Sequence, residues 1–316
     1  MRETRAPGPG GLGPRARAML GAGSLPEGRR MTSLADPTTG RPGAALQAAV
    51  ADALRGTAPL GVAFSGGVDS ATLLAVAVRT LGAENVYAVL AVSPSLARDE
   101  RTAAHATAAA IGATVVEIET GETDLPEYRV NDVSRCYHCK NAMFTAIDDE
   151  LVERLGLAAV AYGENADDAL RPDRPGSRAA TEHRVLRPLA DAGLTKAEVR
   201  ALARHLGLDV ADKPAAPCLA SRIPHGSEVT PAKLRAIEAA EEVLRELGFR
   251  DGRVRHHDDI ARVELLVADL PRAVDPAVRD ALVAGVRAAG FRFVTIDLAG
   301  IQSGAFTLPL VSVTRG

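Results

Sequence analysis

The chain has 316 residues, a formal net charge of −3 at pH 7, 47% hydrophobic residues and 24% charged residues, which is the composition of a globular protein rather than a disordered or fibrous one. No apolar run approaches the roughly 20 residues that cross a bilayer, and three cysteines are too few for a disulfide scaffold. The first residues lack the apolar stretch of a secretory signal. We therefore expect a cytoplasmic protein with reduced thiols and a chain long enough for about two domains.

Residues 1–44 differ from the rest, since they hold glycine and proline clusters and seven arginines against three acidic residues. Such a segment buries too little apolar surface to offset the entropy of ordering it, so we expect disorder there. Met31 is a candidate start of the native chain. Taking the +4 of this segment from −3 leaves about −7 on the remainder, which makes nucleic acid an unexpected partner.

From about residue 45, apolar strands alternate with amphipathic helices. The predicted strands are 60–64, 86–92, 114–118 and 158–162. The predicted helices are 69–81, 98–111, 140–155 and 195–206. This alternation indicates an α/β fold with a doubly wound, mostly parallel sheet covered on both faces. We assign it to one domain over residues 45–225.

After about residue 226 the order of elements becomes helix, strand, strand, helix, strand. The predicted bounds are 231–247, 252–257, 260–267, 276–289 and 291–298. This order predicts a smaller α+β domain over residues 226–316.

The segment 65–70 reads Ser-Gly-Gly-Val-Asp-Ser and joins the first predicted strand to the first predicted helix. Its two glycines let backbone N–H groups turn towards an anion, and the positive end of the helix dipole points to the same place. The aspartate would repel a phosphate unless a divalent cation lay between them, which predicts a Mg²⁺ ligand. The alternative is a tight turn that happens to use small residues. The candidate nucleotide-binding residues are Ser65, Gly66, Gly67, Asp69 and Ser70.

Cys136 and Cys139 form a C-x-x-C pair at the start of a predicted helix, and Cys218 is the third cysteine. Helix N-termini lower thiol pKa values, and such a pair can reach one metal. The residues leave four interpretations open: inert buried thiols, a redox dithiol, a zinc site with His138 as a fourth ligand, and an iron–sulfur cluster on three thiolates.

Cys218 lies in a proline-rich loop at residues 212–222, which ends in Ser221 and Arg222. A planar guanidinium suits phosphate or carboxylate, although an arginine is more often part of a surface ion pair. Arg253 and Arg255 alternate along a predicted strand, so their guanidinium groups share one face. That face either binds an anion or is exposed to water.

The segment 65–70 resembles the PP-loop of ATP pyrophosphatases, which split ATP between the α- and β-phosphates. With R-C-Y-H-C-K at 135–140, G-E-N-A-D-D at 163–168 and the cysteine loop at 212–222, the motif order resembles the LarE family of ATP-dependent sulfur transferases over about residues 45–306. The resemblance implies an adenine nucleotide alpha-hydrolase-like fold. It also implies sulfur insertion into a pyridinium dicarboxylate mononucleotide, on the route to the nickel-pincer cofactor of lactate racemase.

Members of this family either sacrifice one cysteine of the proline-rich loop or hold a 4Fe-4S cluster on three cysteines. The sacrificial position is Pro217 here, so the resemblance implies the cluster type, with Cys136, Cys139 and Cys218 as cluster ligands and catalytic residues. It implies ATP and Mg²⁺ as further cofactors, sulfide or a sulfur-delivery protein as the sulfur source, and a homo-oligomer such as a hexamer.

Asp167 and Asp168 follow the end of a predicted strand, where acidic residues can hold a metal, although a solvated helix N-terminus is the alternative. Asp69 and Asp168 are the candidate Mg²⁺ ligands. The resemblance assigns Ser221, Arg253 and Arg255 to the site for the substrate phosphate, and Arg222 joins this candidate site because it follows Ser221 in the cysteine loop.

The segment 65–70, taken by itself, is also compatible with other functions. A tRNA thiolase would need a basic, aromatic surface, which an acidic remainder with 3% aromatic residues overall hardly provides. An adenylating amidotransferase or ligase, or a non-catalytic zinc-binding or nucleotide-sensing protein, also fits single motifs.

Overall fold

A computed structural model describes residues 40–170 and 175–301. The expectations for residues 1–39 lie outside the described residues. Among the described helices, none is long and apolar enough to cross a membrane.

Four parallel strands form the first sheet, in the order β3-β2-β1-β4. The strands are β1 (Leu60–Ala63), β2 (Val86–Val92), β3 (Thr114–Glu119) and β4 (Ala159–Tyr162). Every residue of the central strand β1 is buried, as expected where helices cover both faces of a parallel sheet. The α/β class predicted from the sequence is confirmed.

Helices pack on both faces of this sheet. They are α1 (Gly43–Leu54), α2 (Val68–Leu81), α3 (Arg98–Ile111), α4 (Pro126–Arg129), α5 (Arg135–Glu150), α6 (Val152–Leu155), α7 (Ala166–Ala169), α8 (Pro175–Glu182), α9 (Pro188–Asp191) and α10 (Lys196–His205). One core joins α1, α2 and α10 to the sheet through Val50, Leu74 and Leu202. A second core, on the other face, contains Phe144 of α5 and Ala180 of α8.

Several bounds differ from those predicted. Strand β2 and helix α3 match the prediction, whereas α5 begins at Arg135 instead of residue 140. Helices α1, α4, α7, α8 and α9 were not among the predicted helices, and α1 begins inside the segment assigned to disorder. The earlier start of α5 places both cysteines of the C-x-x-C pair in its first two turns.

The rest of the described chain forms a second sheet with three helices. Its elements are α11 (Pro231–Glu246), β5 (Gly252–His257), β6 (Ile260–Leu265), α12 (Leu270–Ala273), α13 (Pro276–Ala288) and β7 (Phe293–Ile296). Strands β5 and β6 are antiparallel, and β6 and β7 are parallel. The core of this part also contains Leu219, Ala220 and Ile223, so the cysteine loop is anchored on it. The domain boundary at residue 226 stays a prediction.

Candidate active site

The segment 65–70 lies at the carboxyl end of β1, where the chain turns into α2. Gly66 has a φ of +70°, and a Cβ atom there would lie 2.9 Å from the Cα atom of Ala104, so a larger residue does not fit. The Ser70 hydroxyl accepts from the N–H of Ser65 at 3.3 Å and donates to the carbonyl oxygen of Gly67 at 3.1 Å. Among the described residues no side chain caps the N-terminus of α2, which leaves its first N–H groups available to an anion.

A cavity of about 300 Å³ adjoins this loop. It lies at the carboxyl edge of the parallel sheet, where α/β folds bind their ligands. Its lining includes Ser65, Ser70, Lys140, Tyr162, Glu164 and Asp168. The cavity therefore brings together the loop, the end of β4 and helix α5.

The two predicted magnesium ligands lie close together in this cavity. The Nδ2 atom of Asn165 donates to Oδ1 of Asp69 at 3.3 Å and to Oδ2 of Asp168 at 2.9 Å. Asp69 also forms an ion pair with Lys196 of α10. Mg²⁺ in phosphate sites takes one or two carboxylates and completes its shell with phosphate oxygens and water. Asp69 and Asp168, which both accept from the Asn165 amide, can supply these two carboxylates.

The end of β4 contributes Gly163 and Glu164, which the sequence places in the motif at 163–168 without assigning them a role. A Cβ atom on Gly163 would lie 2.8 Å from the backbone of Asp69 and Ser70, so β4 packs directly against the start of α2. The signal was present in the run G-E-N at residues 163–165, which follows a strand.

Glu164 is a buried carboxylate in the wall of this cavity, with 2% of its surface exposed. It accepts from the Ser177 hydroxyl, and its Oε2 atom lies 3.6 Å from Nη1 of Arg187. Burial and the neighbouring Glu164 raise the pKa of Tyr162 above its usual range. Among the described residues, Oε2 of Glu164 has no hydrogen-bond partner, so it can accept from a bound ligand.

The cysteine loop is fixed beside the first turn of α5. Nη1 of Arg135 donates to Oδ1 of Asn131 at 2.5 Å and to the carbonyl oxygen of Ala220 at 2.9 Å. The N–H of Leu219 donates to the carbonyl oxygen of Ser95, just beyond β2, at 3.0 Å. These bonds bring the C-x-x-C pair and the cysteine loop to the same end of the fold.

The three thiols have different surroundings. Cys136 and Cys218 are exposed, whereas Cys139 packs against the core of the second sheet. Burial and then the charges of Cys218, Glu122 and Cys136 raise the pKa of Cys139 far above its usual range. The three cysteines are therefore near enough to influence one another, and burial favours the protonated form of Cys139.

The thiols do not form a metal site as they are arranged. Within residues 40–170 and 175–301, no group of three or more His, Cys, Asp or Glu side chains is placed to hold a metal ion. The ring of His138 forms a hydrogen bond with Ser134 at 3.1 Å. This arrangement fits neither the predicted 4Fe-4S cluster nor zinc, and we derive no chemical step through either.

Arg222 fastens the cysteine loop to α11. Its Nε and Nη2 atoms donate to the two carboxylate oxygens of Glu241 at 2.9 and 3.1 Å, and both side chains are buried. Its Nη1 atom donates to the carbonyl oxygen of Pro217 at 2.5 Å and to the Ser221 hydroxyl at 3.0 Å. Arg222 thus has a structural role, and its contact with a substrate phosphate stays a prediction.

The other two arginines of the candidate phosphate site lie beside the same loop. Arg255 is buried and donates to the carbonyl oxygen of Ser221 at 2.9 Å and to Glu264 at 3.0 Å. Burial and then the positive charges of Arg222 and Arg255 lower the pKa of Arg253. The carboxylates of Glu241 and Glu264 offset part of this repulsion, and a contact of these arginines with a substrate phosphate stays a prediction.

Comparison with known proteins agrees with the geometry of the loop. The model of the asparagine synthase family matches residues 43–155, which run from α1 to α6 and contain the segment 65–70. This match covers the strands β1 to β3 and the loop on which the candidate nucleotide site is built.

Three relatives each match more than half of the chain. An uncharacterized protein of Synechocystis is 42% identical over 243 residues, 77% of this chain and 90% of that protein. The pyridinium-3,5-bisthiocarboxylic acid mononucleotide synthase of Lactiplantibacillus plantarum is 36% identical over 261 residues, 83% of this chain and 92% of that protein. An uncharacterized protein of Methanocaldococcus jannaschii is 30% identical over 184 residues, 58% of this chain and 68% of that protein. The chain belongs to the family of the L. plantarum synthase, the LarE family.

Proposed function

We propose that this chain is an ATP-dependent sulfur transferase. It adenylylates a pyridinium dicarboxylate mononucleotide and replaces carboxylate oxygen by sulfur, giving thiocarboxylates for the nickel-pincer cofactor. The observation that carries the proposal is that one helix, α5, contributes to both parts of the site. Its first turns contain Cys136 and Cys139, and its Lys140 lines the cavity beside the PP-loop. Membership in the family of a bisthiocarboxylic acid mononucleotide synthase supports it.

In the first step, the PP-loop binds the phosphates of ATP and a substrate carboxylate oxygen attacks the α-phosphorus. A new O–P bond forms, the bond from the α-phosphorus to the bridging oxygen breaks, and pyrophosphate leaves with the electron pair. Asp69 and Asp168 would hold Mg²⁺, whose charge offsets that of the phosphates. The protein contributes chiefly by positioning and charge neutralisation, because phosphoryl-type transfer needs little covalent help.

In the second step, hydrogen sulfide anion attacks the acyl carbon of the adenylate. A C–S bond forms, the C–O bond breaks, and AMP leaves with the oxygen and its electron pair. The thiocarboxylic acid then loses a proton to water, and the second carboxylate requires a second round. Arg253 and its neighbours would hold the substrate phosphate, so that the acyl group lies between the nucleotide cavity and Cys218.

The 4Fe-4S cluster is a separate prediction that follows from the family resemblance and enters neither step. Its test is metal and sulfide analysis of protein purified without oxygen. A brown protein with roughly four iron atoms per chain supports the cluster. A colourless protein without iron that still transfers sulfur contradicts it. We further propose a homo-oligomer, a hexamer, working in the cytoplasm where thiols stay reduced; sedimentation analysis tests its size.

The test of the function is incubation of the protein with ATP, Mg²⁺, sulfide and the dicarboxylate mononucleotide, followed by product mass and nucleotide analysis. We expect replacement of oxygen by sulfur, with one AMP and one pyrophosphate formed per sulfur gained. Formation of ADP and phosphate would contradict the proposal. An amide formed from ammonia, in place of a thiocarboxylate, would favour the amidotransferase alternative.

A further inference from the structure

Lysine is rare in this chain. Of its 37 basic residues, four are lysines and the others are arginines. Two of the four lie at the nucleotide site: Lys140 lines the cavity, and Lys196 pairs with Asp69. An ammonium is a compact point charge, whereas a guanidinium is a broad planar fork. Lys140 and Lys196 therefore place compact cations at the nucleotide site of a chain whose other cations are mostly guanidinium groups.

The side chain of Lys140 is held in a narrow slot between two elements. On one side, its Nζ atom lies 4.2 Å from the centre of the Tyr162 ring, a favourable cation–π contact. On the other side, a Cβ atom on Gly176 of α8 would lie 2.9 Å from the Cδ atom of Lys140 and 3.2 Å from Nζ. The lack of a side chain at Gly176 thus makes room for the extended lysine.

The adenylylation step requires a positive charge near the α-phosphate. The segment 65–70 contains no lysine, and Lys196 is paired with Asp69 at the start of α2. Lys140 approaches the same cavity from α5, the helix that carries Cys136 and Cys139. It therefore reaches the cavity from the helix that carries two of the three cysteines, the side from which sulfur would be supplied in the proposed function.

We propose that Lys140 is a catalytic residue whose ammonium binds a non-bridging oxygen of the α-phosphate, and that Gly176 is a positioning residue that keeps its slot open. This inference rests on the proposed adenylylation. As the carboxylate oxygen bonds to phosphorus and pyrophosphate leaves with the electron pair, negative charge on the α-phosphate increases. Lys140 stabilises that charge and keeps its proton throughout, so it acts by electrostatics rather than as an acid or base.

The first test measures single-turnover pyrophosphate release by Lys140→Met, Lys140→Arg and Gly176→Ala. We expect Lys140→Met to lower the rate by roughly 10²-fold, with ATP affinity reduced much less. Lys140→Arg should not restore the rate, because the guanidinium is too broad for the slot. Lys233→Met, whose ammonium donates to the carbonyl oxygen of Glu228 beside α11, is the matched control and should leave the rate unchanged.

Gly176→Ala separates positioning from general stability. Alanine favours a helix more than glycine does, so the melting temperature should hold or rise while the added methyl group displaces Lys140. We expect the rate to fall by roughly 10-fold while the KM for ATP stays nearly constant. A rate within twofold of the unchanged protein would contradict the positioning role.

A binding test works without turnover. Calorimetry should show that Lys140→Met weakens AMP binding by roughly 10-fold and leaves pyrophosphate binding nearly unchanged. Retained pyrophosphate binding also reports that the variant is folded. Equal affinities for AMP in the variant and the unchanged protein, or equal losses for both ligands, would overturn the role of Lys140. An unchanged protein that binds AMP through Lys140 but makes no pyrophosphate from ATP and the substrate would instead refute the proposed function.

Discussion

The PP-loop and the cysteine loop are held in place by different kinds of contact. Ser65, Gly67 and Ser70 bond to one another within a few residues, and the turn at Gly66 completes that local structure. The cysteine loop is held by partners distant in sequence, such as Arg135. The turn of the PP-loop is therefore formed largely by bonds within its own segment, whereas the cysteine loop depends on contacts distant in sequence. A substitution in one of the two loops should therefore leave the structure of the other loop largely unchanged.

The largest expected effect is on sulfur transfer. We propose that Cys218 brings the sulfide to the acyl adenylate, so Cys218→Ser should reduce thiocarboxylate formation by roughly 10³-fold, the scale of loss on removing an essential group. Pyrophosphate release in a single turnover should stay within a few-fold, because the PP-loop does not depend on this thiol. Mass analysis of the product and a pyrophosphate assay on the same samples measure both. Equal losses in pyrophosphate release and thiocarboxylate formation would contradict the claim that the PP-loop works independently of Cys218.

The next effect concerns how the cysteine loop is anchored. Glu241→Gln should lower the free energy of unfolding by about 3 kcal/mol, because it leaves the buried guanidinium of Arg222 without its counter-ion. Urea unfolding measures the change. Glu242→Gln on the same helix is the control, since Glu242 pairs with Arg98 at the surface and should cost less than about 1 kcal/mol. Similar losses in both variants would contradict the anchoring role of the buried pair.

The third effect is confined to the nucleotide end. Asp69→Asn should slow pyrophosphate release by roughly 10²-fold and shift the Mg²⁺ dependence to higher concentration, because one carboxylate of the candidate metal site is lost. Thiocarboxylate formation should fall in proportion. The control is Asp52→Asn, since Asp52 of α1 pairs with Arg55 at the surface, away from the candidate metal site. An unchanged Mg²⁺ dependence in Asp69→Asn would exclude Asp69 as a ligand.

The smallest effect distinguishes the thiols. The raised pKa of Cys139 keeps this residue a thiol at pH 8, and only the thiolate reacts with iodoacetamide. We expect alkylation of Cys139 at least about 10-fold slower than that of exposed Cys136 and Cys218, as measured by peptide mass mapping. The difference should vanish in denaturant. Faster labelling of Cys139 than of Cys136 would contradict its burial.

The PP-loop could be predicted from the sequence because its structure is local. A buried strand, two glycines and a helix follow one another within residues 60–81, and each element is favoured by its own residues. The parallel sheet followed from the same alternation. The helix at Gly43–Leu54 was missed although Leu46, Val50 and Leu54 recur every fourth residue, because no side chain among the described residues caps its start and the first two of its residues fall in the segment assigned to disorder.

Contacts between distant segments could not be predicted in this way. Asp69 and Lys196 are 127 residues apart in the chain, and Arg222 and Glu241 are 19 apart. Their pairing depends on how helices dock on the two sheets. From the residues of its loop, Arg222 was predicted to bind an anion such as the substrate phosphate. In the structure it pairs with the buried carboxylate of Glu241. The proposed role of Gly176 in α8 depends on Lys140, which lies on the neighbouring helix α5 and contacts Gly176.

The central claim, that an acyl adenylate precedes sulfur transfer, is tested most directly by following the substrate's carboxylate oxygen. The dicarboxylate mononucleotide is labelled with heavy oxygen in its carboxylates and converted with ATP, Mg²⁺ and sulfide. One heavy oxygen should appear in the phosphate of AMP for each sulfur gained, because AMP leaves with the oxygen that attacked phosphorus. Label in inorganic phosphate, or AMP without label, would contradict it.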